Sequence, residues 1–184
     1  MKNAYVFFAE GFEEIEGLTI IDVLRRADIP VKMVSVSGSK EVTGAHGIQI
    51  VADVLIDEIN VEDAEILILP GGMPGAKNLN EHQVLKGHLK NFANSGKKLA
   101  AICAAPLVLG GLNILEGKNA VCYPGFEDQL TGATIKYEPS LKSDNIITGR
   151  GPGAALNFSL SLVEELKGKE TADQLARAML VQTW

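Results

Sequence analysis

Leu99-Ala100-Ala101-Ile102-Cys103-Ala104-Ala105-Pro106 is the stretch from which the rest of the chain is read. The apolar run Leu99 to Ile102 predicts a buried strand, and the residues after Cys103 predict a helix with proline in its first turn, where a missing N–H costs nothing. Cys103 then sits at a strand-to-helix turn. Unpaired N–H groups and the positive end of the helix dipole favour thiolate over thiol there. The expectation is a nucleophile ionised at ordinary pH. The plain alternative is that a cysteine closing an aliphatic run is packed core.

Working outward, strand-length apolar runs alternate with longer stretches of helical period. This is the pattern of an α/β fold with a mostly parallel sheet covered on both faces. The predicted strands are Ala4 to Ala9, Val31 to Val36, Gln49 to Val51, Ile66 to Leu69, Leu99 to Cys103, Ala120 to Cys122, Thr134 to Tyr137 and Ile146 to Thr148. The predicted helices are Glu16 to Ala27, His82 to Asn94, Ala105 to Leu112, Ala154 to Leu166 and Ala172 to Leu180. In the first helix Ile20, Val23, Leu24 and Ala27 share one face. A hairpin is expected through Ser37, Gly38 and Ser39, flanked by Lys32, Lys40 and Glu41. No repeat, low-complexity tract or linker interrupts the chain, so one domain over 1–184 is expected.

Composition narrows the partners. The 184 residues are 46% hydrophobic, 22% charged and 5% aromatic, which describes a soluble chain with an aliphatic core. A formal net charge of -6 opposes nucleic acid and anionic membranes, and Lys97-Lys98 is only a dipeptide. Lys2 and the apolar residues up to Ala9 are followed by Glu10, Glu13 and Glu14 with no cleavable small-residue site, so this segment reads as a first strand rather than a signal peptide. The uncharged stretch Leu99 to Leu115 contains Pro106, Gly110, Gly111 and Asn113 and falls short of the ~20 apolar residues of a membrane span. Two cysteines, Cys103 and Cys122, and no secretory signal point to a reducing cytoplasm without a structural disulfide. His46, His82 and His88 lie far from both cysteines in sequence, and no metal-ligand spacing occurs. No metal or cofactor is expected.

Open α/β sheets hold ligands at the carboxyl ends of their strands. Three loops there should converge: Glu10 to Glu16, Pro70 to Gly75, and the turn at Cys103. Glu16 could be held beside Cys103, where a partly buried carboxyl stays protonated and donates to a thiolate. Gly71 and Gly72 let backbone N–H groups approach a reacting centre, and with the N–H of Ala104 they would form an oxyanion hole. Each has a plainer reading: Glu16 as a helix N-terminal acid, and the glycines as a simple turn. Gly149-Arg150-Gly151-Pro152-Gly153 also follows a strand and opens a helix, and could cradle an anion beside Arg150. It lacks the Lys-Ser/Thr of a P-loop, and glutamates occupy the place of a dinucleotide fingerprint. Cys122 reads as structural, and His82 and His88 as solvated.

Taken in order, Gly11-Phe12-Glu13-Glu14-Ile15-Glu16, Asp22-Val23-Leu24-Arg25-Arg26-Ala27, Leu69-Pro70-Gly71-Gly72, Ala100-Ala101-Ile102-Cys103-Ala104-Ala105-Pro106 and Arg150-Gly151-Pro152-Gly153 resemble the ThiJ/PfpI superfamily. The likeness is greatest to its branch containing the parkinsonism-associated deglycase and its bacterial relatives. The resemblance spans nearly the whole chain. It implies a flavodoxin-like sandwich, a homodimer and a nucleophile elbow carrying Cys103. It further implies Glu16 as the acid hydrogen-bonded to that thiol, and Gly72 and Ala104 as oxyanion-hole donors. The implied activity is that of a glyoxalase III-like enzyme on 2-oxoaldehydes such as methylglyoxal and glyoxal, or a deglycase of early glycation adducts. The implied rival is an oxidative-stress sensor or chaperone that works by oxidation of Cys103.

This chain departs from the pattern at two pocket positions. Tyr123 precedes Pro124 where many relatives have histidine, and His46 stands where relatives often have arginine. The first is a much weaker base, and the second carries a pH-dependent charge. Ala104 replaces the histidine that follows the nucleophile in the protease branch, which argues against peptidase activity.

Overall fold

The computed structural model describes residues 2–182; Met1, Thr183 and Trp184 of the expected domain lie outside the described residues. The most continuously apolar segments form the middle of the sheet, because strands covered on both faces have no side to leave polar. They are β1 (Asn3–Phe8), β6 (Ala64–Leu69) and β7 (Lys98–Ile102), each buried over nearly its full length. Outward lie β2 (Val31–Ser35) and β5 (Val54–Leu55) on one side, and β11 (Ile146–Gly149) and β10 (Ser140–Ser143) on the other. The seven strands run in the order β10-β11-β7-β6-β1-β2-β5. Every pairing is parallel except β10 with β11. Ser140, Lys142 and Ser143 make that antiparallel edge polar, which blunts it against further pairing.

One helical layer packs α1 (Glu14–Arg26) on α5 (Ala155–Lys167), and α5 on α6 (Lys169–Ala178). The other packs α2 (Gly75–Glu81) on α3 (Gln83–Asn94) and on α4 (Pro106–Gly111). In α1 the side chain of Glu13 accepts the Glu16 N–H as N-cap, acids fill the first turn and Arg25 and Arg26 the last, all in the sense the helix dipole favours. Ile20, Val23 and Leu24 form its buried face. Pro106 begins α4, as the sequence predicts. Phe8 and Phe12 meet edge to face at 4.9 Å between β1 and α1.

Several elements differ from expectation. The hairpin at Ser37–Ser39 does not form: β2 pairs in parallel with β1 and β5, and the serine turn only leads away from the sheet. Ser35 Oγ lies 2.9 Å from Ser37 Oγ and accepts the Ser37 N–H at 3.2 Å. The antiparallel ribbon comes later, between β3 (Glu41–Thr43) and β4 (Gln49–Val51), so Gln49–Val51 is a strand outside the central sheet. The strand predicted at Ala120–Cys122 shortens to β8 (Asn119–Ala120), and Thr134–Tyr137 to β9 (Thr134–Ile135); these two pair only with each other. Beyond Ala120 the backbone donors turn elsewhere, Val121 N–H to Thr148 Oγ1 and Tyr123 N–H to the Cys103 carbonyl. Cys122 is buried just past β8. His82 and His88 are half-buried rather than solvated, and His82 caps α3 by accepting the Leu85 N–H on Nδ1. No helix among the described residues is long and apolar enough to cross a membrane.

Candidate active site at the ends of the central strands

β1, β6 and β7 are parallel neighbours, so the segments leaving their carboxyl ends share one edge of the sheet. Cys103 immediately follows β7 with φ +65°, a conformation that non-glycine residues adopt only when their surroundings hold them there. Two backbone bonds provide that hold: Cys103 N–H donates to Gly149 O at 2.9 Å, and its carbonyl accepts from Tyr123 N–H at 2.8 Å. The sulfur receives the N–H groups of Gly72 and Ala104 and is hydrogen-bonded to the Glu16 carboxyl.

Glu16 has no solvent-exposed surface. Its Oε2 accepts the Gly71 N–H at 2.8 Å, and its Oε1 is buried without a hydrogen-bond partner. Gly71 is the position that permits this meeting. A Cβ there would lie 2.6 Å from Cys103 Cβ and 2.7 Å from Glu16 Oε2, closer than real side chains approach. The convergence expected of Cys103, Glu16, Gly71, Gly72 and Ala104 is therefore what the chain forms.

The ionisation of the sulfur differs from the sequence reading. Burial pushes Glu16 up to about 7, against the opposing hydrogen bonds from Cys103 and Gly71. Burial, then the charge and hydrogen bond of Glu16, push the Cys103 thiol up to about 12, and the N–H groups of Gly72 and Ala104 offset only part of this. The N–H groups at the turn are outweighed by burial and by the neighbouring carboxylate. Between these two values the pair carries a single proton and titrates as a unit. When that proton sits on Glu16, the carboxyl donates to a thiolate; when it sits on sulfur, the carboxylate is a base in contact with the thiol.

Above Cys103 opens a cleft of about 750 Å³, walled by Ile15, Ile48, Met73, Tyr123 and Phe126. Tyr123 is half-exposed at its rim. His46 lies between β3 and β4, mostly exposed, with Nδ1 2.7 Å from Glu14 Oε2 and 4.0 Å from Glu13 Oε1. Its backbone N–H also donates to Glu14 Oε1 at 2.7 Å. Burial alone would raise Glu14, but the hydrogen bonds from His46 and Ile48 outweigh it and hold the carboxyl low. The hydrogen bond and charge of Glu14 in turn raise His46. Glu13, Glu14 and His46 offer ligand atoms within 4.8 Å of one another, the spacing a metal ion would need, although Glu14 is already engaged by His46 and Ile48.

Arg150 is not part of this cleft. Its guanidinium lies 5.3 Å over the Tyr137 ring and donates to the Tyr137 carbonyl at 2.9 Å. It lines a neighbouring groove of about 420 Å³ that shares Tyr123 and Pro152 with the cleft. The sequence reading also passed over Glu13 and Glu14, although both lie in the loop it expected to converge on Cys103. Cys103 and Cys122 are free thiols, and burial pushes Cys122 up to about 11.

A positive-φ cysteine held between two backbone N–H groups and a buried glutamate carries the motifs quoted above. The sequence signature of the DJ-1/PfpI family matches residues 2–165. The chain belongs to the DJ-1/PfpI family. Its relatives put it in the DJ-1 branch. It is 38% identical to protein DJ-1 homolog B of Arabidopsis thaliana over 98% of its own length, and spans 42% of that protein and 47% of DJ-1 homolog A. It is 36% identical to glutathione-independent glyoxalase DJR-1.2 of Caenorhabditis elegans, covering 97% of this chain and 96% of that one. The structure of oxidised DJ-1 from Toxoplasma gondii superposes with a TM-score of 0.95 at 37% identity, over 100% of both chains. The DJ-1 fold found here is thus the flavodoxin-like α/β sandwich that the resemblance implies.

Proposed function

We propose that this DJ-1 family protein is a glyoxalase III-like enzyme that converts small 2-oxoaldehydes such as methylglyoxal to hydroxy acids without a cofactor. The observation that carries the reading is the fully buried Glu16 carboxyl hydrogen-bonded to Cys103 at the floor of an open cleft. Such a pair supplies a nucleophile and a proton carrier in one contact. Glu16 takes the thiol proton as sulfur attacks the aldehyde carbon. The carbonyl electron pair moves to oxygen, where the N–H groups of Gly72 and Ala104 receive it and Glu16 returns the proton. Glu16 then removes the hydrogen of the former aldehyde carbon as a proton, the adjacent carbonyl oxygen takes up the hydroxyl proton of the first carbon, and Glu16 delivers its own proton to the adjacent carbon. The first carbon is oxidised and the second reduced, which leaves a hydroxyacyl thioester. Water attacks that thioester, the carbon–sulfur bond breaks, and the thiol regains its proton.

The name of the nematode relative supports this chemistry. Early glycation adducts offer the same electrophile, with an amine as leaving group. Methylglyoxal consumption and lactate formation in the absence of glutathione test the proposal, with Cys103→Ser and Glu16→Gln both expected to fall by about 10² or more. Equal rates in all three proteins would remove it.

A redox reading rests on the same sulfur. In this reading Glu16, Gly72 and Ala104, which contact the sulfur, would hold the oxygens of a Cys103 sulfinate, and the Toxoplasma relative is described as oxidised. Mild peroxide followed by intact-mass analysis distinguishes the two readings, since a sensor gains two oxygens at Cys103 and changes its binding partner. We further propose a cytoplasmic homodimer. Ile15 of α1 and Ile48 beside β4 are large apolar side chains left exposed at the cleft, Leu18 is exposed one turn further along α1, and a second copy would cover them.

A further inference from the structure

We propose that the Cys103 cleft selects by charge, admitting neutral and cationic dicarbonyls and excluding anionic ones, and that Glu14 together with Glu13 sets this selection. The inference deepens the glyoxalase reading and rests on it for the identity of the reacting group, but its physical basis is independent of turnover. Among the described residues, no lysine or arginine lines the cleft. Its charged groups are Glu13, Glu14 and His46, above the single negative charge that Glu16 and Cys103 share.

Both wall carboxylates are more than nine-tenths buried, so water screens them poorly. Glu13 is fixed by the Glu16 N–H at 2.7 Å. Glu14 is fixed by two N–H groups and the ring of His46. His46 is the one side chain there able to carry positive charge, and it is committed to Glu14. Arg150 is turned onto Tyr137 in the neighbouring groove. An incoming carboxylate or phosphate meets negative charge with no free cation of the same chain to balance it. A neutral 2-oxoaldehyde with an apolar substituent meets Ile15, Ile48 and Phe126. A glycated lysine or arginine side chain brings a charge of the favoured sign.

Charge-matched thiol reagents test this without any catalytic step. The native protein is treated with neutral, cationic (trimethylammonium) and anionic (sulfonate) alkyl methanethiosulfonates. Each rate at Cys103 is followed by peptide mapping and normalised to the same reagent's rate with glutathione. The cationic reagent should react roughly tenfold or more faster than the anionic one. Added salt should narrow that ratio. Glu14→Gln and, separately, His46→Arg should each narrow it several-fold, the second by adding a permanent cation without removing a wall residue.

Equal normalised rates, faster labelling by the anionic reagent, or no labelling of Cys103 by any of the three overturns the proposal. A charge-selective thiol in a protein that does not consume methylglyoxal would retain this inference and discard the glyoxalase reading. Turnover with glyoxylate as fast as with methylglyoxal would do the reverse.

Discussion

Glu16, carried by the first turn of α1, and Cys103, at the end of β7, meet as a hydrogen-bonded pair because Gly71 between them has no side chain. The charge of one controls the proton of the other. Glu16→Gln removes the negative charge that helps hold the thiol up, yet leaves a donor beside the sulfur. Its Cys103 should therefore be alkylated by iodoacetamide with a midpoint at least one pH unit below that of wild type, while methylglyoxal turnover falls. A higher midpoint would mean that the Glu16 charge does not raise the thiol.

Burial of Glu16 also makes stability depend on pH. Its folded value of about 7 lies above the ordinary carboxyl value of 4.5, so between these values the folded state binds more protons than the unfolded. The contribution of Glu16 is complete below about pH 4.5 and is lost as pH rises through about 7, a change on the order of 3 kcal/mol. Urea unfolding of wild type and Glu16→Gln across this window should show the wild type losing stability relative to the variant as pH rises. Parallel curves would contradict the assignment.

Gly71→Ala puts a methyl group into the contact between Cys103 Cβ and Glu16 Oε2. Overpacking of this kind costs roughly 1–3 kcal/mol. Turnover should fall more steeply than stability, because the displaced groups are the reacting ones. Urea midpoints measured alongside methylglyoxal consumption separate the two effects.

The apolar side chains around the cleft predict the assembly. Leu18→Glu, on the exposed face of α1, should convert a dimer to monomer in sedimentation velocity and leave the far-ultraviolet spectrum unchanged. A wild-type protein that sediments as a monomer would contradict the assignment of this surface.

Much of this arrangement was legible before any coordinates. Cys103 was marked by a strand-to-helix change within a few residues, and Glu16, Gly71 and Gly72 by loops that a parallel sheet must bring to one edge. What local sequence does not carry is tertiary. The two strands of the β3–β4 ribbon are three residues each, too short for alternation to separate them from a hairpin at the serines. Arg150 follows the right strand, but its direction is fixed by Tyr137, which the sequence puts at the end of a strand that stops at Ile135. The upward push on the thiol has the same tertiary origin. The dipole at α4 is visible in Pro106, whereas the desolvation and the neighbouring carboxylate that outweigh it exist only once the layers pack.

Single-turnover reaction with methylglyoxal, quenched at intervals and read by intact mass with peptide mapping, tests the Cys103–Glu16 pair most directly. A methylglyoxal-mass adduct should appear on Cys103, clear as lactate forms in wild type, persist in Glu16→Gln and be absent in Cys103→Ser. Lactate formation with no adduct at Cys103, or undiminished in Cys103→Ser, would contradict the account.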